Sequence, residues 1–382
     1  MTTTTRTTEC TATTARLFLE FELGSTKWTM GFTTAPAQRP RLRTVAAGDL
    51  AAVTREIAAA RHRFQLPVDA PVLSCYEAGR DGFWLHRWLT DRAITNLVVD
   101  SSSIEVNRRK RRAKTDRLDT TKLLALLQRW AAGERKVWSV VHVPSVEAED
   151  ARHLVREIET VQGAWTAQRN RLHGLLAAHG VAVPLTARFA ARLATAQTGD
   201  GRPLPAGLHD RLRREWAAYE TIDQRLGELE ALRAQLLATD ESRMAQVARQ
   251  LMTLQGIGAI GGVLFSAELL GTRTFHNRRE VGALTGFAPV PYRSDQRVVD
   301  HGISRAGRAA VRRVATQVAW CWLRYQPTSA LTQWYHRRFG AAGKRARRIG
   351  IVAVTRRLII ALWRYVAHGV IPDGAVMKAH SA

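Results

Sequence analysis

The sequence predicts a mixed α/β protein whose N-terminal part forms a sheet and whose remaining length is almost entirely helical. Residues 16–101 alternate between strand patterns, with apolar residues at every second position, and amphipathic helix patterns. Residues 143–250 and 251–382 show mainly apolar spacings of three and four, as helices do. We therefore expect four parts along the chain: a disordered tail (1–16), a sheet domain (17–142), a helical, coiled-coil linker (143–250) and a mostly α C-terminal domain (251–382).

The order of elements in the sheet domain indicates its topology. Gly24-Ser25-Thr26 forms a turn between the first two strands, and Asp49 is placed to cap the first helix. Three consecutive strands are followed by helix, strand, helix and strand. With short connections and right-handed crossovers, this is the order of a ribonuclease H-like mixed sheet. The predicted strands are 16–23, 27–34, 41–46, 71–76 and 94–100, and the predicted helices are 49–64 and 81–91.

Net charge identifies the class of partner. The chain has 57 Lys and Arg against 33 Asp and Glu, giving a net charge of +24 and a pI near 11.3. Such an excess repels itself in the free protein and favours binding to a polyanion. Nucleic acid is the polyanion we expect, because each neutralised phosphate releases condensed counterions and so drives association.

Hydropathy argues against a membrane protein. A membrane-spanning helix needs about 18 uncharged apolar residues, and the most apolar stretch, 349–370, is interrupted by Arg356, Arg357 and Arg364. The three cysteines are far apart and form no CxxC pair, so the sequence predicts neither a zinc site nor a disulfide framework. Together with the expected nucleic-acid partner, these features favour a cytoplasmic, nucleoid-associated bacterial protein.

Four acids occupy positions that the predicted sheet brings together. Glu22 ends the first strand and Glu77 ends the fourth, and the carboxyl ends of these two strands open on one crevice. Asp116 and Asp119, three residues apart at a helix start, lie on one face of that helix. Carboxylate oxygens are the preferred ligands of hard cations, so the four acids are candidates to hold two Mg²⁺ ions about 4 Å apart.

Two alternatives stay open for these acids. The spacing of Asp116 and Asp119 is equally typical of a helix-capping pair, which needs no ligand. Glu20 shares the even-numbered face of the first strand with Glu22, and we prefer Glu22 because it lies nearer the strand end. A dense cationic block precedes the helix and favours phosphate binding beside the acids: Arg108, Arg109, Lys110, Arg111, Arg112, Lys114 and Arg117.

The C-terminal domain contains a second set of candidates. Gly256 and Gly258 open a helix and either present backbone N–H groups to a phosphate or permit close helix packing. Residues 286–295 are predicted to form a Pro-rich loop, in which Ser294 is either a turn residue or a nucleophile activated by neutralisation of phosphate charge. The cationic residues predicted to contact nucleic acid around this loop are Arg293, Arg297, Arg305 and Arg308.

Five short motifs occur in a fixed order along the chain. They are CYEAG at 75–79, KTDRLD at 114–119, LQGIG at 254–258, PYRS at 291–294 and GISRAG at 302–307. In this combination the sequence resembles the Piv/DEDD transposase family of bacterial insertion sequences, the insertion-sequence 110 family. The resemblance extends over about residues 16–375.

The resemblance implies a RuvC-like (Holliday-junction-resolvase-like) DEDD domain joined by a coiled coil to a transposase domain. Matched by position, the Mg²⁺-binding catalytic acids are Glu22, Glu77, Asp116 and Asp119, and the serine that links covalently to DNA is Ser294. It further implies that a structured guide RNA pairs with target and donor DNA, and that homodimers assemble into tetramers.

The sequence departs from the family pattern at three positions. Glu22 stands where the family usually has Asp, and Arg308 stands where relatives often have Asn. Asp295 follows the serine where the family typically has Gly, and a non-glycine residue is disfavoured there if the position needs a positive φ.

These observations predict an insertion-sequence transposase that catalyses Mg²⁺-dependent, RNA-guided strand exchange through a covalent serine–DNA intermediate. Two alternatives make different predictions. A hydrolytic, metal-dependent junction resolvase would cleave DNA without Ser294. An inactive nucleic-acid-binding remnant would bind DNA unchanged after Asp116 and Asp119 are removed.

Overall fold

The computed structural model describes residues 15–80, 82–105, 116–294 and 297–378, with the backbone alone for 116–118, 292–294 and 297–300. The chain divides into two compact units, residues 1–143 and 144–382. The predicted tail up to residue 14 and the cationic block from Arg108 to Lys114 lie outside the described residues. None of the helices in the described ranges is long and apolar enough to cross a membrane.

The first unit is built on a five-stranded mixed sheet with the order β3-β2-β1-β4-β5. β1 pairs antiparallel with β2 and parallel with β4, and β4 pairs parallel with β5. Three helices accompany the sheet: α1 (Leu50–Arg63), α2 (Trp84–Thr90) and α3 (Asp116–Ala131). The strands are β1 (Leu17–Leu23), β2 (Lys27–Thr33), β3 (Arg41–Ala46), β4 (Val72–Glu77) and β5 (Thr95–Val99).

Alternation along β1 separates the two faces of the sheet. Leu17, Leu19 and Phe21 are buried in the core against α1 and α2, because successive side chains of a strand point to opposite faces. The opposite face of the sheet packs on α3 through Leu123 and Leu127. Both faces are therefore covered, and the even-numbered acids of β1 lie on the α3 side.

The predicted elements of this unit agree closely with the structure. Asp49 caps α1 by accepting a hydrogen bond from the Ala52 backbone N–H (2.8 Å). The helix predicted over 81–91 is shorter and begins at Trp84. The prediction of an N-terminal mixed sheet followed by a mostly helical region is confirmed.

The second unit begins with two long helices, α4 (Val146–Ala178) and α6 (Ala206–Thr239), separated by the short α5 (Phe189–Leu193). The two long helices run antiparallel, and Trp165 of α4 donates its indole N–H to Asp223 of α6 (2.7 Å). Leu226 and Leu229 of α6 are buried against Val161 of α4, whereas Leu232 is half exposed.

The rest of this unit packs around one apolar core that includes the ends of the long helices. A π-helical turn (266–270) follows α8, and a β-hairpin, β6 (Pro289–Ser294) and β7 (Arg297–Ile303), follows α9. The predicted loop at 286–295 is therefore wrong for 289–294, where backbone pairing with β7 outweighs the high proline content. The helices are α7 (Arg243–Met252), α8 (Ala259–Phe265), α9 (Arg278–Leu284), α10 (Ala309–Tyr325), α11 (Ala330–Phe339) and α12 (Lys344–His368).

Candidate functional site

The carboxyl ends of β1 and β4 bring two of the predicted acids to the same edge of the sheet. Phe21 pairs with Tyr76 in the parallel register, so Glu22 and Glu77 each lie one residue further along adjacent strands. Glu22 is half-buried and Glu77 is exposed. The strand positions predicted for these acids are thus observed.

Glu20, which sequence reasoning set aside in favour of Glu22, is the most unusual acid of this edge. Its side chain is fully buried, and neither carboxylate oxygen makes a well-formed hydrogen bond within the described structure, although the Thr120 hydroxyl lies nearby. Burial, together with the charges of Glu22, Glu77 and Asp119, raises the pKa of Glu20 well above its ordinary value, against a smaller lowering by the Thr120 hydroxyl. The charges of Glu22, Glu77 and Asp119 therefore act on Glu20. A buried carboxylate without a well-formed hydrogen bond costs free energy unless a proton or a cation compensates it.

α3 lies directly over these acids. Asp116 and Asp119 both belong to its first turn, and Asp119 is half-buried. Gly31 of β2 permits the close approach: a Cβ at that position would lie 2.4 Å from Thr120 Cγ2 and 2.7 Å from Leu124 Cδ1. The side chains of Asp116 and Arg117 lie outside the described part of the structure.

The donor set fits a hard divalent cation in its chemistry. Carboxylate oxygens are the ligands that Mg²⁺ prefers, and the Glu20 carboxylate offers buried negative charge to such an ion. Among the described side chains, which do not include that of Asp116, no three acidic, histidine or cysteine groups are close enough to hold a metal ion. Binding of an ion would therefore have to bring these carboxylates closer together.

Ser294 lies at the tip of the β6–β7 hairpin. It pairs with Arg297, and two residues, 295 and 296, connect the strands. The predicted nucleic-acid contacts Arg293 and Arg297 are on the same tip, but only their backbones are described, and Asp295 lies outside the described residues. The structure therefore places the candidate nucleophile at the end of a two-stranded β-ribbon.

The base of this hairpin is held by close backbone contacts. Ser304 donates its backbone N–H to Ala288 O (2.8 Å), and Arg305 donates to Gly286 O (3.1 Å). Gly286 has a φ of +74° and lies so close to Ala306 that a Cβ would be 2.1 Å from its carbonyl oxygen. Arg305 itself has a φ of +55° and an exposed side chain, which leaves its guanidinium open to solvent.

Arg308, a predicted nucleic-acid contact, is engaged by carboxylates within its own unit. Its guanidinium forms ion pairs with Glu268 on the π-helical turn and with Glu159 on α4. Arg156 also binds Glu268 (3.0 Å), and Arg313 binds Glu159 (2.9 Å). This network joins α4, the π-helical turn and the start of α10.

Gly256 and Gly258 have different surroundings. Gly256 has a φ of +85° and packs against the backbone of Cys321, whose oxygen would be 3.3 Å from an added Cβ. Gly258 is the N-cap residue of α8, where an added Cβ would contact nothing within 4 Å. Close packing thus accounts for Gly256.

Comparison with known proteins identifies the family. Residues 248–334 match the family described as Transposase IS116/IS110/IS902 family. The putative transposase y4rJ of Sinorhizobium fredii is 36% identical over 376 residues, which cover 95% of this chain and 94% of that protein. The chain belongs to the IS116/IS110/IS902 transposase family. The sequence-based assignment to the insertion-sequence 110 family is confirmed.

This transposase is similar to other named relatives over shorter regions. The transposase for insertion sequence element IS1328 of Yersinia enterocolitica is 29% identical over 194 residues, 49% of this chain and 54% of that protein. A probable family 20 transposase of Pseudomonas aeruginosa is 25% identical over 236 residues, 61% of this chain and 68% of that protein. The family-matched segment contains the hairpin with Ser294. Because transposases act on DNA, the polyanion expected from the net charge is DNA.

Proposed function

We propose that the transposase exchanges DNA strands through a covalent intermediate at Ser294, assisted by a divalent cation, Mg²⁺, held by the acids of the first unit. The observation that carries this proposal is that Glu22 and Glu77 end adjacent parallel strands beside the fully buried Glu20, on the face of the sheet that α3 and Asp119 cover. Carboxyl groups whose pKa is shifted by burial and neighbouring charge are common at functional sites. Asp116, in the first turn of the same helix, is the fourth acid of the proposed set.

A bound Mg²⁺ would neutralise charge that develops on the phosphate and on the departing oxygen. Glu22 and Glu77 support this role because they end adjacent parallel strands at one edge of the sheet. Glu22 replaces the shorter Asp of the family pattern, and its extra methylene lets the carboxylate extend further from β1. The carboxylate of Glu20, which is buried in the core, would add negative charge to balance the positive charge of the ion.

In the proposed reaction, Ser294 Oγ forms a bond to the phosphorus of a DNA phosphodiester, and the bond from that phosphorus to one deoxyribose oxygen breaks. The serine hydroxyl loses its proton, and the departing deoxyribose oxygen takes one up. A hydroxyl of another strand then attacks the phosphoserine and releases Ser294. One ester bond is exchanged for another at each step, so no external energy source is needed.

The position of Ser294 supports this role. The backbone of the serine lies at the tip of a hairpin whose base is held by the hydrogen bond between Arg305 and Gly286. A nucleophile on a held backbone loses less conformational entropy when it reaches the reactive geometry. The exposed Arg305 guanidinium supplies positive charge near that base.

Guidance by a structured RNA and assembly of homodimers into tetramers are further parts of the proposal, supported by the family membership and by the net charge of +24. Binding of the element's own non-coding RNA is measured by gel shift against a scrambled RNA of equal length. Mass photometry with and without RNA and DNA gives the assembly state. Equal affinity for both RNAs would contradict RNA guidance.

The central experiment is recombination with the element ends, flanking RNA and Mg²⁺, with protein–DNA adducts trapped on denaturing gels. Wild type is compared with Ser294→Ala and with Ser304→Ala, an exposed serine whose backbone closes the hairpin base and whose hydroxyl accepts only a long hydrogen bond, 3.4 Å, from the Ala306 N–H. We expect the adduct in wild type and Ser304→Ala only. Asp119→Asn is expected to abolish the adduct and weaken Mn²⁺ binding measured by calorimetry.

Other outcomes favour the alternatives. Cleavage without an adduct, unchanged in Ser294→Ala but lost in Asp119→Asn, would indicate a hydrolytic nuclease. DNA binding without cleavage by wild type and by every variant would indicate an inactive nucleic-acid-binding protein.

A further inference from the structure

The C-terminal third of the chain carries an extreme charge imbalance. Between Asp300 and Asp373 the sequence contains fourteen Lys and Arg residues and no Asp or Glu. Ten of these cations lie in or between α10, α11 and α12 beyond residue 320. The part of the chain between residues 320 and 373 therefore contains no acid that could neutralise its positive charge. Arg308, which precedes this part, differs because it pairs with Glu159 and Glu268 of earlier elements.

Five arginines of the second unit line a groove between α9, α11 and α12 that has a volume of about 810 Å³. We call it the arginine groove. Arg278 and Arg279 come from the start of α9, and Arg356, Arg357 and Arg364 come from α12. Among the described residues, none of the five forms an ion pair, and the one acid in the lining, Asp373, is exposed. The surface thus carries a net excess of four positive charges.

Two of these guanidinium groups are positioned by packing. Arg357 lies over the ring of Trp334, 3.8 Å from its centroid, which restricts the side chain. Arg356 packs over Gly282, where an added Cβ would be 3.2 Å from its Nε, and this buried Nε has no hydrogen-bond partner in the described structure. A buried donor without an acceptor costs free energy, and an anionic oxygen in the groove would supply one.

The spacing suits a chain of phosphates better than a single anion. Arg357 and Arg364 are seven residues apart on α12, and two helical turns separate them by about 10 Å. Trp322 is fully buried and Arg357 lies over the partly buried ring of Trp334, so the groove presents mainly guanidinium groups and little open aromatic surface. The groove therefore offers several guanidinium donors at a spacing that suits backbone phosphates.

We propose that the arginine groove binds the sugar–phosphate backbone of duplex DNA, at a site separate from Ser294 and from the acids. DNA is the occupant because the family acts on DNA, and because the groove offers mainly guanidinium charge and little open aromatic surface, which suits a duplex whose bases are enclosed. The exposed Val370 and Ile371 at the rim are available to contact deoxyribose. Binding here holds the duplex while the chemistry occurs elsewhere, and it does not depend on the serine mechanism.

The test is the salt dependence of binding to a 30-base-pair DNA duplex by the full-length protein. The variant is Arg278→Gln/Arg279→Gln/Arg364→Gln, which leaves the packed Arg356 and Arg357 in place. The matched control, Arg188→Gln/Arg213→Gln/Arg214→Gln, removes three exposed arginines near the α5–α6 region and changes the net charge equally. Thermal unfolding of both variants verifies that they are folded.

Each phosphate contact contributes about 0.9 to the slope of log K against log salt concentration. We expect the groove variant to lose about 2 to 3 from this slope, and the control to lose less than about 1. Equal slopes for the two variants would overturn the proposal, because total charge alone would then explain binding. If the groove variant lost slope only with an RNA hairpin of equal phosphate number, and not with the DNA duplex, the assignment to DNA would be overturned. Ser294→Ala is expected to keep the full slope of log K against log salt concentration, because the serine carries no charge. The binding result therefore does not depend on whether Ser294 is the nucleophile.

Discussion

Arg305 donates its backbone N–H to the carbonyl oxygen of Gly286 at 3.1 Å, and this bond closes the base of the hairpin that carries Ser294. Both residues have positive φ values, +55° for Arg305 and +74° for Gly286. Only glycine adopts this region without strain, so Gly286 is the residue on which the hairpin base depends.

Gly286→Ala is therefore expected to destabilise the second unit. The new Cβ would lie 2.1 Å from Ala306 O, and the positive φ adds its own cost, so we expect a loss of about 2–4 kcal/mol in chemical denaturation. Gly302→Ala is the control, since it has a φ of +80° in the same hairpin but no atom within 4 Å of a Cβ. It should cost about 1–2 kcal/mol. Equal losses for the two variants would mean that the backbone contact at the hairpin base is unimportant.

Glu20→Gln is expected to stabilise the metal-free protein at pH 7 by about 1–3 kcal/mol, because keeping this buried carboxyl either charged, or protonated above its ordinary pKa, costs folding free energy. Burial and neighbouring acids raise the pKa of Glu20. The stability of the folded protein that depends on protonated Glu20 is therefore fully present below pH 4.5, the ordinary pKa. This stability is lost as the pH rises through the raised pKa of the folded state. The gain from the substitution should shrink as the pH is lowered towards 4.

Thermal and chemical unfolding from pH 4 to pH 8, in the presence of EDTA, measures this effect. Asp69→Asn serves as control because it removes an exposed carboxylate from the same unit, with an expected change within about 0.5 kcal/mol. A Glu20→Gln variant that is less stable than wild type at pH 7 would show that the carboxylate is compensated in the apo protein.

Glu268→Gln is expected to weaken the attachment of α4 to the C-terminal core. Burial opposes ionisation of Glu268, but its ion pairs with Arg156 and Arg308 outweigh this and lower its pKa. Removing the charge leaves two partly exposed guanidinium groups without their shared partner, at a cost of about 1–3 kcal/mol. Glu241→Gln removes a largely exposed partner of Arg249 and should cost less than about 0.5 kcal/mol.

The pH dependence has the opposite sign to that of Glu20. Because the pKa of Glu268 is lowered, its contribution is present above pH 4.5 and is lost as the pH falls through the folded-state value. Denaturation curves at pH 7 and pH 3.5 should therefore show a large difference between wild type and Glu268→Gln at pH 7 and a small one at pH 3.5. A difference that does not change with pH would exclude the ion pairs as its cause.

Gly31→Ala tests the position of α3 over the acids. Its Cβ would overlap Thr120 and Leu124, so we expect destabilisation of about 1–3 kcal/mol and weaker Mn²⁺ binding, because Asp119 adjoins Thr120. Gly79→Ala, whose Cβ would have no neighbour closer than 3.9 Å, is the control. Unchanged Mn²⁺ affinity in a destabilised Gly31→Ala variant would show that the position of α3 does not affect the metal site.

Local patterns allowed much of the first unit to be predicted. Alternation of apolar residues in β1 and β2, the turn at 24–26 and the Asp49 cap are short-range features, and they fix strand and helix boundaries within a few residues. The strand positions of Glu22 and Glu77 followed from the same patterns. The hairpin at 289–303 was missed because its prolines are typical of loops, whereas pairing with β7 is a contact that local propensity does not contain.

The sequence by itself determined the family, the mixed sheet with a helical remainder, and a net charge that requires a polyanion, because motif order, periodicity and composition are properties of the chain. Only the tertiary structure decided that Glu20 is the fully buried acid, that Arg308 is neutralised by Glu159 and Glu268, and that five arginines from two separate helices line one groove. Burial and charge compensation depend on residues distant in sequence, since the elements that provide a partner or exclude water meet only when the chain is folded.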